Sequence, residues 1–354
     1  MQSIVYMQRL LLMSFHIVFT GTVLRQPYYS IILISNSFAR RRNTRVMKGV
    51  VITMNTVKSA ARKFIYKEAT VGYVFALPFI IGFLGFTIVP IISSFYYSFT
   101  DYNMIVKEDW IGLDNYKRLF LDARFWKSVR VTLKYVLISV PSKLIFALII
   151  AMLLTYRTRL TSLYRSLFYV PSLIGGSIAV ALVWKELFAR KGLVNSMLGM
   201  LGLMPVSWFG NQKMALFPLI IMSVWQFGSS MIIFAAGLKQ IPVTYYEAAR
   251  IDGANRIKAF LHITLPGLSP VILYNLVMQT IAAFMTFTQA FVITGGGPND
   301  ATNFYALYMY RYAFNYYDMG YASAMSWVML VVMSLITLVI FKTSKFWVFS
   351  EADK

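Results

Sequence analysis

The sequence predicts an all-α, polytopic membrane protein with six core transmembrane helices. Apolar residues make up 58% of its 354 positions, against about 45–50% in soluble domains. Charged residues make up only 13%, roughly half of the usual share. The apolar residues are gathered in runs of about 20 residues or more, long enough to cross a bilayer core as helices.

The composition also narrows the function. The chain has no Cys, only two His and thirteen acidic residues, so we predict no disulfide, no metal site and no catalytic centre. The net charge of +21 would suggest nucleic acid as the partner of a soluble protein. Here Lys and Arg at the cytoplasmic ends of membrane helices explain the charge more simply, and no nucleic-acid partner is expected.

Residues 1–70 differ from the rest of the chain and are interpreted as a basic cytoplasmic segment. The apolar run 10–24 is shorter than the roughly 20 residues that a span needs. No convincing signal-peptide cleavage site follows it. One interpretation makes 1–53 a start-site extension, with Met47 or Met54 as the true start. The alternatives are a weak extra span or interfacial helix, and a functional tail.

The predicted transmembrane domain covers residues 71–341, and a cytoplasmic tail covers 342–354. Lys143 lies inside the second span, where a charge is expensive unless it faces protein or water, so both a structural role and a role in the solute pathway are open. Gly175 and Gly176 in the third span permit close helix approach. The six spans are predicted at 71–99, 129–154, 167–188, 214–236, 268–294 and 319–341.

The distribution of Lys and Arg predicts the orientation. These residues are concentrated in segments 1–70, 155–166, 237–265 and 342–354. They are fewer in segments 100–128, 189–213 and 295–318. The positive-inside rule therefore places both termini in the cytoplasm and the second group of segments on the outer side.

Residues 244–266, which we call the elbow, form a long polar stretch between two strongly apolar runs. Thr244 is followed three residues later by Glu247, which predicts a capping box at the start of a short helix. Asp252 and Gly253 predict a break, because glycine accepts turn conformations and aspartate caps a following helix.

A second elbow helix is predicted at about 254–262, and Pro266 is expected to end it. Its amphipathic pattern predicts a helix-turn-helix lying against the membrane on the cytoplasmic side. The apolar face holds Ile257, Phe260 and Leu261, and the residues expected in water are Arg250, Arg256 and Lys258.

The elbow resembles the EAA loop of ABC-importer permease subunits. The matching residues are Glu247, Ala248, Ala249, Asp252, Gly253, Ala254, Phe260, Ile263, Leu265 and Pro266. The resemblance extends more weakly from about residue 73 to the C-terminus, and includes segment 110–120 and the glycine-proline loop 295–298. Within this class, the sequence most resembles the MalF/UgpA-type permeases of carbohydrate importers. The resemblance implies the type I importer permease fold.

This resemblance implies that the chain forms half of a carbohydrate pathway in a bacterial cell membrane. It implies a second permease subunit, a pair of ABC ATPase subunits and an extracytoplasmic solute-binding protein as partners, beside membrane lipid. The chain itself is expected to bind no cofactor, since the partner ATPase hydrolyses ATP with Mg. The residues implied in ATPase coupling are Glu247, Ala248, Ala249, Arg250, Asp252, Gly253 and Ala254.

Polar residues inside the fourth and fifth spans are candidates for the solute pathway. Amide and hydroxyl groups can bond sugar hydroxyls, and an aromatic face can stack on a sugar ring. The alternative is that these residues hold helices together. The candidates are Trp225, Gln226, Ser229, Ser230, Gln279, Thr286 and Gln289, with Ala283 and Ala290 in helical register on the fifth span.

Two other functions are open on the residues alone. An ion-coupled secondary transporter would need acidic residues or an ion site inside its spans, and Glu186 lies only near the end of one. A polytopic scaffold that moves no solute is the second alternative.

Overall fold

The computed structural model describes residues 68–104, 109–155 and 161–349. These residues are helical, with one isolated bridge between Thr100 and Trp110 and no strand in the described part. The α-helices are α1 (Glu68–Phe83), α2 (Val89–Tyr97), α3 (Asp114–Leu121), α4 (Ala123–Leu153), α5 (Thr161–Ile174), α6 (Ile178–Leu187), α7 (Leu193–Met200), α8 (Leu216–Trp225), α9 (Gly228–Gln240), α10 (Val243–Ile251), α11 (Arg256–Ala259), α12 (Leu265–Gly267), α13 (Ser269–Phe284), α14 (Tyr305–Tyr310) and α15 (Met319–Ser344).

The chain divides into two compact units, Met1–Gly85 and Phe86–Lys354. The described part of the first unit is α1 with the first two residues of the π turn that follows it. The Phe75 side chain of α1 is 81% exposed. Such exposure of an apolar helix suits contact with lipid or with another apolar surface. The expectations for 1–53 lie outside the described residues, and the division at residues 70 and 341 stays a prediction.

Three predicted spans are confirmed as long apolar helices. The first corresponds to Phe75–Tyr97, which includes a π turn at Leu84–Ile88. The second is α4, which begins earlier than predicted and continues through Pro141 without a break. The sixth is α15. Each is apolar enough over 18 residues to cross a membrane.

The third and fourth predicted spans are bent pairs, which corrects the prediction of single helices. The chain turns by 99° between α5 and α6, and by 43° between α8 and α9. Glycine marks both places: Gly175 and Gly176 lie in the first break, and Gly228 begins α9. Helices in a membrane tolerate such breaks where neighbouring groups satisfy the freed backbone.

The fifth predicted span is also shorter as a helix than expected. Helix α13 ends at Phe284, residues 285–287 are not helical, and a π turn follows at Ala290–Thr294. The turn predicted at the glycine run is confirmed, because Gly295 and Gly296 have positive φ angles of 57° and 84°.

The predicted outer loops contain more helix than the sequence suggested. Helix α3 lies in the first, α7 in the second and α14 in the third. Two of the three tyrosines of α14 are buried, with Tyr305 at 5% and Tyr308 at 3% exposure. Burial of these rings follows from the packing of α14 against α4 and α15.

Helix α4 is central to the second unit and packs against α8, α9 and α13. Its Ala147 and Ala151 are fully buried, which lets the neighbouring backbones approach closely. Large side chains from the partner helices fill the remaining space. They include Leu219, Met222, Met231 and Phe234, each at most 1% exposed.

Asp122 joins three helices at the ends that the sequence predicts to lie on the outer side. It accepts hydrogen bonds from the backbone N–H of Arg124 at 2.8 Å, from the hydroxyl of Tyr321 at 3.1 Å and from the hydroxyl of Tyr308. Burial acts to raise the pKa of Asp122, but the hydrogen bonds, that from Tyr308 first, outweigh it and hold the pKa below its ordinary value. The carboxylate therefore stabilises the junction of α4, α14 and α15.

Candidate solute cavity and coupling elbow

The break between α5 and α6 lies against the break between α8 and α9. The side-chain Nε2 of Gln226 donates a hydrogen bond of 3.2 Å to the backbone oxygen of Gly175. A Cβ on Gly175 would lie only 2.3 Å from the Gln226 side chain. The close approach predicted for Gly175 is thus confirmed. Gly176 has open space around it, so the same prediction is wrong for this residue.

Ser172 forms further hydrogen bonds between the two breaks. Its hydroxyl donates to the backbone oxygen of Gln226 at 3.1 Å and accepts from the backbone N–H of Ser229 at 3.0 Å. Gly228 lies so close to α5 that an added Cβ would be 2.3 Å from the Phe168 carbonyl oxygen. These bonds satisfy backbone groups that the bend in the fourth span leaves free.

A polar cavity of about 200 Å³ lies where the broken helices meet. Helices α4, α8 and α13 contribute to it, and so does the non-helical segment after α13. Irregular backbone inside a membrane is tolerated where it lines a cavity, and broken helices often build solute sites. The lining residues are Tyr135, Val140, Lys143, Ser223, Gln226, Gln279, Ala282, Ala283, Met285, Thr286, Phe287, Thr288 and Gln289.

The cavity brings together four of the seven predicted pathway residues, namely Gln226, Gln279, Thr286 and Gln289. The other three lie outside its lining. The ring of Trp225 packs against Trp184, with ring centroids 5.7 Å apart. Ser229 meets Ser172 through its backbone, and Ser230 is fully buried. Their roles in binding solute stay predictions.

The same cavity is also lined by Tyr135, Ser223 and Thr288, which were not among the predicted pathway residues. Tyr135 is 4% exposed and packs against Phe304. Ser223 and Thr288 are polar residues inside the fourth and fifth predicted spans, so they carry the same sequence signal as the predicted residues. Tyr135 lies in an apolar stretch of the second span and has no such signal. Lys143, whose role the sequence left open, also lines the cavity.

The elbow is a separate candidate site, built from α10, α11 and the turn between them. Its first helix begins at Val243 with Pro242 as the N-cap and no side-chain cap hydrogen bond. The capping box predicted for Thr244 and Glu247 is therefore wrong. Proline holds its φ near −60° and is sufficient to begin the helix, which places Thr244 inside the first turn.

The predicted break at Gly253 is confirmed, with a positive φ of 75°. The backbone N–H of Gly253 donates to the oxygen of Arg250 at 3.1 Å, and that of Ala254 donates to the oxygen of Ala249 at 2.8 Å. This pair of hydrogen bonds is a Schellman motif, which glycine favours because it has no Cβ penalty. The turn is thus set by local geometry.

The second elbow helix departs from the prediction at both ends. Asn255, rather than Asp252, caps α11 by accepting from the backbone N–H of Lys258 at 2.8 Å. Pro266 does not end the helix, because it stands in the first turn of α12, where its missing N–H has no cost. The chain then bends by 65° into α13.

The elbow is held at its base and exposed at its tip. The hydroxyls of Tyr246 and Thr264 form a hydrogen bond of 2.9 Å between its two halves. No residue of α10 is buried, and Ile251 is 87% exposed. The basic residues predicted to lie in water are exposed, namely Arg250, Arg256 and Lys258.

The family of this chain follows from its sequence pattern. The pattern described as "Binding-protein-dependent transport system inner membrane component" matches residues 124–343, which is more than half of the chain and includes both the cavity and the elbow. The chain belongs to this family. It is a multi-pass permease of an ABC transporter and not an enzyme. The family excludes the alternatives of a secondary transporter and a scaffold.

The proteins similar to this permease include the following curated relatives and solved structure. It is 53% identical to the probable ABC transporter permease protein YesP of Bacillus subtilis, over 82% of this chain and 95% of that protein. It is 36% identical to the trehalose/maltose transport system permease protein MalF of Thermococcus litoralis, over 80% of this chain and 97% of that protein. Its fold matches a bacterial ABC transporter involved in the import of the acidic polysaccharide alginate, with a TM-score of 0.70 and 24% identity. The match covers 81% of this chain and 98% of the other chain.

Proposed function

We propose that this permease forms half of the pathway by which a bacterial importer takes up a carbohydrate. The observation that carries the proposal is the polar cavity at the meeting point of the broken helices. Three glutamine side chains, Gln226, Gln279 and Gln289, line it, and each amide offers both donors and an acceptor to sugar hydroxyls. The trehalose/maltose transport named for the MalF relative supports a sugar as the solute.

The energy for uptake comes from a separate ATPase that docks on the elbow. The sequence holds no G-x-x-x-x-G-K-[ST] motif for binding nucleotide phosphates. The exposed and half-buried residues from Glu247 to Ala254 form a surface with room for a partner. Small side chains at Ala248, Ala249 and Ala254 lie beside the charges of Glu247 and Arg250. The contact also includes Asp252 and Gly253. ATP-driven closure of the ATPase pair would move the two elbows and switch access to the cavity.

The working importer contains four kinds of component. This permease pairs with a second permease subunit, the ATPase pair binds from the cytoplasm, and both termini of this chain face the cytoplasm. A solute-binding protein delivers the sugar from the outer side, in keeping with the family description.

The absence of Cys from the sequence allows a direct test of docking and orientation. Ile251→Cys and Met204→Cys each introduce a single thiol at a site that is 87% exposed in the native protein. We expect only the thiol at position 251 to cross-link to the ATPase. A membrane-impermeant maleimide should label position 204 in intact spheroplasts and position 251 only in inverted vesicles. The reverse labelling pattern would refute the docking proposal.

Uptake tests the coupling itself. In proteoliposomes with the complete importer, Glu247→Lys and Gly253→Pro should abolish sugar uptake and stimulated ATP hydrolysis, while the spans still insert. Lys117→Glu, an exposed change in α3 on the predicted outer side, is the matched charge control and should leave ATP hydrolysis intact. Normal uptake by a fully assembled Glu247→Lys importer would contradict the proposal.

A further inference from the structure

Lys143 is a cation in the polar cavity. It lies on α4, is half-buried and lines the cavity with Gln226, Gln279 and Gln289. Measured from the end of α4 at Leu153, it lies about 15 Å along the helix axis. That distance is about half of a 30 Å hydrocarbon core. Lys143 therefore lies near the middle of the bilayer, the depth at which secondary transporters, a different class, hold their solutes.

This charge has no partner within the part of the chain that the structure describes. Among residues 68–104, 109–155 and 161–349, no carboxylate forms an ion pair with Lys143 and no group accepts a hydrogen bond from it. Of the described residues that line the cavity, Lys143 alone is charged. The surrounding amides and hydroxyls can solvate an ammonium group, but they do not neutralise it.

An unpaired charge in a membrane is costly and marks a functional position. A purely structural lysine would be expected to reach a carboxylate or the water at the membrane surface. The contrast with Lys134 on the same helix is direct, because Lys134 is exposed and does not line the cavity. The cavity thus combines groups that bind hydroxyls with one positive charge.

We propose that the cavity selects a carbohydrate that carries an anionic group, and that Lys143 binds this group. The inference rests on the proposed function, since it names the class of sugar that the pathway accepts. A carboxylate or a phosphate on the sugar supplies the missing negative charge. The glutamine amides bind its hydroxyls.

The test compares acidic and neutral sugars in one importer. The complete complex in proteoliposomes, with its own binding protein, is given a uronate-containing disaccharide, a sugar phosphate and a neutral disaccharide, each radiolabelled. Lys143→Met should lower uptake of the anionic sugar at least about tenfold, the size expected for loss of a charge-assisted contact. It should leave uptake of the neutral sugar unchanged or raised. The uronate and phosphate arms identify which anionic group is carried.

Two further variants separate binding from folding. Lys143→Arg keeps the charge and should retain most uptake of the anionic sugar. Lys134→Met removes a cation from the same helix outside the cavity and should change uptake of neither the anionic nor the neutral sugar. Stimulation of ATP hydrolysis by the loaded binding protein confirms that each variant is assembled.

The results distinguish this inference from the proposed function. Equal uptake of anionic sugar by the native importer and by Lys143→Met would overturn the inference and leave a carbohydrate importer in place. Loss of the second permease from the purified Lys143→Met complex, with rescue by Lys143→Arg, would also overturn it, because Lys143 would then pair with that subunit. Failure of the native importer to carry any of the three sugars would refute both.

Discussion

The side-chain amide of Gln226 donates a 3.2 Å hydrogen bond to the backbone oxygen of Gly175, and this bond joins the breaks of two neighbouring spans. Gln226 also lines the polar cavity. One residue therefore links the geometry of the bent helices to the surface that meets solute. Any change that moves this amide should alter transport before it alters the fold.

Gly175→Ala should displace Gln226, because the new Cβ would lie 2.3 Å from its side chain. The glutamine is flexible enough to move, so we expect correct insertion but uptake lowered roughly tenfold, as for a lost solute contact. Gly176→Ala is the control, since nothing lies within 4 Å of its new Cβ. Initial uptake rates in proteoliposomes check the pair, and equal rates for both variants would count against a role for Gln226.

Gly253→Val should uncouple ATP hydrolysis from uptake. Residue 253 has a φ of 75°, a conformation that costs an ordinary residue about 1–2 kcal/mol and a β-branched residue more. Gly202 has the same φ of 75° and no neighbour within 4 Å, but lies on the predicted outer side. Gly202→Val should therefore cost similar stability and leave ATPase stimulation unchanged. Equal effects of the two changes would show that strain alone, and not the elbow, is responsible.

Tyr246→Phe should loosen the base of the elbow. It removes the 2.9 Å hydrogen bond to Thr264, a contribution of about 1 kcal/mol for an ordinary hydrogen bond. We expect weaker binding of the ATPase, measured by titration of the purified permease complex with ATPase subunits. Tyr245→Phe changes the exposed tyrosine at the preceding position in the same way and serves as the control. Unchanged affinity in Tyr246→Phe would mean that the bond does not position the elbow.

Asp122→Asn should destabilise the permease at neutral pH but not at acid pH. The folded state holds the pKa of Asp122 below its ordinary value, so the ionised carboxylate stabilises folding above an unfolded pKa of about 3.9, and this stability is lost as pH falls through the folded pKa. Thermal unfolding in detergent at pH 7 should show a lower Tm for the variant, with the gap closing below about pH 4. A gap that stays constant across this range would exclude ionisation as the cause.

The elbow illustrates how far local sequence determines structure. The break at Gly253 was predictable because a positive φ in a short polar segment selects glycine by itself. The N-cap of α10 was not predictable, because both Thr244 and Pro242 satisfy the local rules for a helix start. The helix begins after Pro242, whose φ is fixed by its ring. Alternatives so close in free energy are decided by the surrounding chain.

The cavity illustrates the opposite case. Gln226, Gln279, Thr286 and Gln289 were recognisable as polar residues within apolar runs. Their convergence with Tyr135 and Lys143 could not be recognised from the sequence, since these residues lie on different helices far apart in the chain. The bends that bring them together also escaped prediction, because hydropathy reports the length of an apolar run and not its direction.

The sequence by itself determined the membrane location, the number of apolar runs and the glycine turn of the elbow, because each depends on transfer free energy or on backbone sterics within a short segment. Only the tertiary structure decided that three of the runs are bent or interrupted and that the Gln226 side chain bonds to Gly175. It also decided that Lys143 faces a cavity whose lining, among the described residues, holds no counter-charge. Those features depend on packing between distant segments, which no local pattern of residues records.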